Sequence, residues 1–160
     1  DSDRHAKIRR MSVLAIAISD LAPEECAELG PLLESLGYAA AATETARRLA
    51  AGFGRDGPCR VLVARVAGGG RRIVGFATTH VTPFLHRPAA GRVTALAVLP
   101  EYQGRGIGRA LLARCEEILF AAGVDRIELT SGSQRRDAHR FYRAAGYGET
   151  GVRFVKSARS

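Results

Sequence analysis

Residues 99–109 of this 160-residue chain include three glycines, Gly104, Gly106 and Gly108, which alternate with Arg105, Ile107 and Arg109 just ahead of an apolar helical pattern. A glycine has no Cβ, so the backbone there turns tightly and lets an anion approach its N–H groups, which carry partial positive charge at a helix N-terminus. Such a bend is a cradle for a pyrophosphate, to which Arg105 and Arg109 add side-chain charge. Taken alone, the pattern also describes an ordinary glycine-rich connection between a strand and a helix. No Lys-Ser or Lys-Thr follows the glycines, so a Walker-type nucleotide loop is absent. A dinucleotide fingerprint fits little better: counted from Gly104 its third glycine falls on Arg109, and counted from Gly106 it falls on Leu111.

A cradle of this kind needs a strand before it and a helix after it. Residues 92–98 read as the strand, and from about Ile107 a helix begins in which Ile107, Leu111, Leu112, Cys115, Ile118 and Leu119 share a face. Gly123 closes that helix and residues 126–131 follow as a strand; so short a return implies a parallel, right-handed crossover. Upstream, residues 12–19 form a first apolar strand, and Pro23 with Glu24 and Glu25 starts a helix. Cys26, Leu29, Leu32, Leu33 and Leu36 recur at helical spacing, Gly30 and Pro31 are expected to kink or split the helix, and Gly37 ends it. A second short helix is expected over about 43–51, followed by a turn-rich connection at 52–58. Residues 60–67 and 71–82 alternate around Gly68, Gly69 and Gly70, which predicts an antiparallel hairpin with a tight glycine turn, and 83–90 form a loop. Ala138, Phe141, Tyr142 and Ala145 mark a short helix stopped by Gly146, and residues 151–156 read as a closing strand. The expected fold is α/β, a mixed sheet with an antiparallel front and a parallel back, flanked by helices.

The composition bounds the function. With 46% hydrophobic and 25% charged residues the chain matches globular averages, so a single folded domain over 11–160 is expected. Residues 1–10, ahead of the one methionine at Met11, read as a tag or a disordered extension. No apolar run approaches the roughly 20 residues that cross a bilayer. The three cysteines, Cys26, Cys59 and Cys115, are odd in number and form no C-x-x-C pair, which argues against a disulfide framework or a zinc site and for a reducing cytoplasm. A net charge of +8 attracts anionic partners, but no zinc pattern, aromatic RNA platform or concentrated arginine stripe points to nucleic acid.

The bend also meets the pattern Gln/Arg-x-x-Gly-x-Gly/Ala through Gln103, Gly106 and Gly108. Leu96, Ala97 and Val98 with Pro100 precede it, and Phe141, Tyr142, Arg143, Ala144, Ala145, Gly146 and Tyr147 follow at the matching distance. In these features the chain resembles the GNAT superfamily of acetyl-CoA-dependent N-acetyltransferases, closely over about residues 91–156 and by element order before that. The resemblance implies a metal-free acyltransferase that moves acetyl from acetyl-CoA to a primary amine, on a small molecule or a peptide, by direct attack in a ternary complex. It implies that backbone groups of Gly104, Arg105, Gly106, Ile107, Gly108 and Arg109 bind the pyrophosphate. Leu96, Ala97 and Val98 would pair with the pantetheine arm like an added strand, and the Val98 N–H would polarise the thioester carbonyl. Tyr142 is implied as the general acid: a phenol with a pKa of about 10 can protonate the departing thiolate. Without the resemblance, Tyr142 reads as a packed aromatic beside Phe141.

The chain departs from the family at two positions. Where a carboxylate base is common it has Thr94, which leaves the amine's proton to solvent or to His80, His86 or Glu128. Where many relatives carry an asparagine seven residues before the tyrosine it has Arg135, either a cofactor contact or a solvated arginine beside a cap by Ser133. Cys115, on the buried stripe, is not expected to be a nucleophile. A homodimer fits this reading, and a catalytically silent acyl-CoA-binding regulatory module is the alternative that turnover would separate from an enzyme.

Overall fold

A computed structural model describes residues 15–38, 41–54, 57–68 and 70–158. Residues 1–10, residues 12–14 of the expected first strand, and Gly69 lie outside this set. The described chain divides into two units, one ending at Leu129 and one starting at Thr130.

The first unit is built on a five-stranded sheet in the order β1–β2–β3–β4–β5, comprising β1 (Ile16–Asp20), β2 (Cys59–Val66), β3 (Gly75–Thr82), β4 (Ala90–Val98) and β5 (Ile127–Leu129). The first four strands pair antiparallel, while β4 and β5 pair parallel across the helix α3 (Ile107–Ala121). This is the mixed sheet that the alternation before the bend and the short strand-helix-strand return after it imply. The two faces of the sheet are covered differently. On one, α3 buries Ile107, Leu111, Leu112, Cys115 and Leu119. On the other, Leu29 and Leu32 pack in a core with Val61, Val63, Ile73, Phe76, Ala97 and Leu99. Those leucines come from a 3₁₀ helix (Pro23–Leu29) that passes directly into α1 (Gly30–Ser35), so Pro31 splits the helical stretch as its missing N–H requires. The helix α2 (Ala42–Gly52) follows.

Close approach of α3 to the sheet depends on Gly91. A Cβ built there would lie 3.0–3.1 Å from the Leu119 side chain, including its Cβ, which cannot swing away. Gly91→Val should therefore overpack the interface at a cost of about 3 kcal/mol, against at most about 1 kcal/mol recovered from strand propensity. The expected result is a lower midpoint in a thermal melt, by several degrees.

Four expectations need correction. The second hairpin strand starts at Gly75, not at Arg71, so residues 71–74 belong to the connection after β2, and Gly69 of the expected glycine turn lies outside the described residues. Ile73 and Val74 are apolar because they are buried in the core, and the Val74 N–H still reaches the Ala64 carbonyl at 2.9 Å, so they imitate a strand without extending its register. The strand after α3 is only Ile127–Leu129 instead of 126–131, and β4 starts at Ala90, two residues before the expected 92. Residues 151–156 form no strand: they pair with no other strand among the described residues, and Val152, Phe154 and Val155 are exposed. The second unit instead holds α4 (Arg136–Ala144) and chain without regular secondary structure after it.

Candidate active site

The site in the first unit starts from a fault in β4. Thr78 pairs with Ala95 while Thr79 pairs with Val93, so Thr94 is an extra residue, a β-bulge. Before it, β4 is bonded on both sides, for β5 pairs with Gly91, Arg92 and Val93 and goes no further. Beyond it, the Leu99 N–H donates to the Val74 carbonyl at 2.9 Å, and antiparallel alternation then turns the main-chain groups of Ala95 and Ala97 toward β3. Leu96 and Val98 therefore direct their N–H and C=O groups to the other side, where no described strand pairs with them. The Val98 carbonyl is taken by the Gln103 side chain, whose Nε2 donates to it at 3.0 Å. Of the three residues expected to meet the pantetheine arm, Leu96 and Val98 offer open amides and Ala97 does not.

The bend follows directly. A short 3₁₀ turn (Pro100–Tyr102) leads to Gln103, then Gly104 and Gly106 adopt φ of +72° and +83°. Both glycines are exposed, and a Cβ on either would meet no protein atom within 4 Å, so the space in front of them is open. Gly106 caps α3 without any side-chain bond, and the first helical hydrogen bond is from the Ala110 N–H to the Gly106 carbonyl at 3.0 Å. The N–H groups of Ile107, Gly108 and Arg109 thus stay outside the helical ladder at its positive end. Ile107 anchors this turn in the core, while Arg109 is exposed. Arg105 lies over the Tyr102 ring, 5.5 Å from its centroid, which holds one cation beside the bend.

On the face away from α3, the candidate bases divide. The Thr94 hydroxyl shares a 2.7 Å hydrogen bond with the Thr78 hydroxyl, an arrangement with no group basic enough to take a proton at neutral pH. His80, two residues along β3 from Thr78, is bonded through Nε2 to the Thr82 hydroxyl at 2.8 Å. Burial, and next the charge of Arg92, lower its pKa, so it is neutral and able to accept a proton. His86 is exposed in the loop, edge-on to Phe84. Glu128 is engaged by Arg87 at 3.2 Å and Arg126 at 3.3 Å. Cys115 is fully buried, and burial together with Glu116 pushes its thiol up to about 12, where no useful thiolate exists near neutral pH.

In the second unit, Tyr142 lies on α4, half-buried, with its ring edge-to-face with Phe141 (5.3 Å) and Tyr147 (6.1 Å). Burial raises the phenol pKa and Arg135 opposes the rise, so the hydroxyl stays protonated. Arg135 is the residue preceding α4, exposed, and no side chain caps the helix, so the Ser133 cap is not formed. His139 fastens the preceding loop through Nε2 and the Gly132 carbonyl at 3.0 Å. The bond from Gln103 to Val98 and the Thr78–Thr94 pair escape sequence reading, because both depend on which strands become neighbours. Among the described residues no three His, Cys, Asp or Glu side chains gather as a metal site, and no helix is long and apolar enough to cross a membrane.

Comparison with known proteins agrees with this geometry. Over 86 residues the chain is 41% identical to the aminoalkylphosphonate N-acetyltransferase of Salmonella typhimurium, a match covering 53% of this chain and 56% of that protein. Over 59 residues it is 42% identical to a mycothiol acetyltransferase of Beutenbergia cavernae, covering 37% of this chain and 20% of that protein. The chain therefore spans about half or less of the length of these curated relatives. A solved acetyltransferase of Trypanosoma brucei superposes with a TM-score of 0.75 over 90% of this chain and all of that one, which at 22% identity shows the shared fold. Residues 27–147 match the model of the Acetyltransferase (GNAT) family. An anion-ready bend, an opened strand beside it and a family match over most of the sequence lead to one conclusion: the chain belongs to the GNAT family of acetyltransferases.

Proposed function

We propose that this protein transfers the acetyl group of acetyl-CoA to a primary amine by direct attack in a ternary complex. The observation that carries the reading is the pair of free donor sets meeting at the end of β4: the Leu96 and Val98 amides on its unpaired side, and the Ile107, Gly108 and Arg109 amides at the start of α3. The second set suits the pyrophosphate, with Gly104 and Gly106 leaving room and Arg105 and Arg109 adding charge. The first set suits the pantetheine arm, which would lie along β4 as an added strand. Gln103 acts by holding the end of β4 against the bend, so its contribution is to position both sets.

In the reaction the neutral amine attacks the thioester carbonyl, the C–N bond forms, and the oxygen takes up negative charge. The Val98 N–H is the proposed donor to that oxyanion; one preorganised donor of this kind is worth about 3 kcal/mol. The C–S bond then breaks, and the thiolate takes a proton from Tyr142, which is refilled from solvent. The amine's own proton leaves to water or to His80, which is neutral. The names of the matched relatives support a small amine as acceptor, Tyr142 and Val98 keep the roles that the family resemblance gives them, and Arg135 is proposed as a cofactor contact.

Calorimetry with acetyl-CoA, coupled to a thiol-release assay over a panel of amines, tests the reading. Binding heat together with amine-dependent thiol release is expected. Heat without turnover on any amine would identify a silent acyl-CoA-binding module, and absence of heat at millimolar acetyl-CoA would remove the cradle itself.

A further inference from the structure

One row of side chains crosses the sheet on the face away from α3. Cys59 pairs with His80, His80 with Arg92, and Arg92 with Glu128, and directly paired residues share a face. The face is fixed by Gly91, whose missing Cβ points at Leu119 of α3, so Arg92 points to the opposite side, with Thr78 and Thr94 next along. The charges in this row do not balance. Glu128, the carboxylate opposite Arg92, is already shared by Arg87 and Arg126, and Arg87 is further fixed by stacking on Phe84 at 3.6 Å. Three guanidinium groups therefore stand around one carboxylate. Arg92 is half-buried, its Nε is sealed from solvent with no hydrogen-bond partner, and no carboxylate pairs with it among the described residues. Arg87 Nη1 is likewise buried without a partner. Burial, and after it the charge of Arg92, lowers the pKa of the neighbouring His80, so His80 adds no counter-charge.

A half-buried arginine without a counter-charge is costly unless an anion supplies one. The strand rise places Arg92 about 7 Å along β4 from Thr94, and Thr94 is the bulge residue just before the opened amide of Leu96. We infer that Arg92 is the acceptor's anion site: the amine acetylated by this protein also carries an oxyanion, phosphonate or carboxylate, and docks it on the Arg92 guanidinium. The inference rests on the transfer reading above, because it assigns the acceptor of that same reaction. A planar fork of donors suits such a group.

The test is a thiol-release assay with acetyl-CoA and three acceptors of similar size: 2-aminoethylphosphonate, β-alanine and uncharged propylamine. The expected result is that one or both anionic amines exceed propylamine in kcat/KM by about 10- to 100-fold, the range for a charge-assisted contact. In Arg92→Gln that preference should collapse toward unity through a higher acceptor KM, with the KM for acetyl-CoA held within about twofold. Arg92→Lys, which keeps the charge but loses the fork, should restore part of it. The ratio of phosphonate to carboxylate then identifies which oxyanion the site prefers. Acetyl-CoA binding heat in each variant reports that it is folded; should Arg92→Gln fail that control, the lysine variant and the wild-type preference still decide. A propylamine rate equal to the others in the wild type, an unchanged preference in Arg92→Gln, or a change in the KM for acetyl-CoA instead of the acceptor's, would overturn the anion site and leave acetyl transfer standing. No thiol release with any amine would overturn the transfer reading, and this inference with it.

Discussion

Gly106→Val is expected to weaken acetyl-CoA binding by about 30-fold while the protein remains folded. Gly106 sits at φ +83° as the cap of α3, in a left-handed conformation that a β-branched residue adopts only under strain. The cost is about 1–3 kcal/mol, or roughly 5- to 150-fold in an equilibrium constant. That strain can be relieved only by rotating the turn back to negative φ, which swings the Ile107, Gly108 and Arg109 N–H groups off their common aim. Among the described residues, a Cβ at Gly106 meets no atom within 4 Å. The added methyl groups therefore enter the open space where the proposed pyrophosphate lies, and the effect falls on the ligand more than on the fold. Calorimetry with acetyl-CoA, alongside a thermal melt, separates the two. An unchanged affinity would mean that the bend only joins β4 to α3. Gly106→Ala, with the same backbone strain and a smaller intrusion, should fall between.

The bend was legible before any fold was known because all of its physics is local. Alternating glycines, a following apolar stripe from Ile107 to Leu119 and the absence of a capping side chain are neighbours in sequence as well as in space. The same holds for the split of the first helix at Pro31 and for the antiparallel pairing of β2 with β3, whose alternation is carried within each segment. What could not be read is whatever depends on register. The bulge at Thr94 exists only because Thr78 and Thr79 choose Ala95 and Val93, and neither strand alone encodes that choice. The alignment of Cys59, His80, Arg92 and Glu128 joins four strands far apart in sequence, so in the sequence His80 and Glu128 are isolated candidates and nothing singles out Arg92. Where apolar composition was read as strand, at residues 71–74 and 151–156, the error has one source. Ile73 and Val74 are apolar for the sake of the core, with strand-like bonds reaching only Val74, and Val152, Phe154 and Val155 are exposed with no strand beside them among the described residues.

Tyr142→Phe should lower kcat by about 100-fold and leave the KM for acetyl-CoA nearly unchanged. Phenylalanine keeps the ring that packs edge-on against Phe141 and Tyr147, so α4 loses only a hydroxyl. Under the proposed mechanism that hydroxyl supplies the proton to the thiolate as the C–S bond breaks, and a positioned proton donor contributes roughly 10²- to 10⁴-fold. The pH dependence gives the assignment its own readout. A donor works only while protonated, and burial raises the Tyr142 pKa above its ordinary value even with Arg135 opposing. The wild-type rate should therefore hold into the alkaline range and fall only where the phenol ionises, above the usual tyrosine value. In Tyr142→Phe that alkaline limb should disappear along with most of the rate, because no group is left to titrate there. Arg135→Gln extends the argument, since removing the opposing cation should move the wild-type limb further upward. Were Tyr142→Phe to keep full kcat, the thiolate would be leaving unassisted or taking its proton from water, and Tyr142 would be a packing residue of α4; a lowered kcat with an unmoved alkaline limb would assign the limb to another group and the loss to misplaced structure.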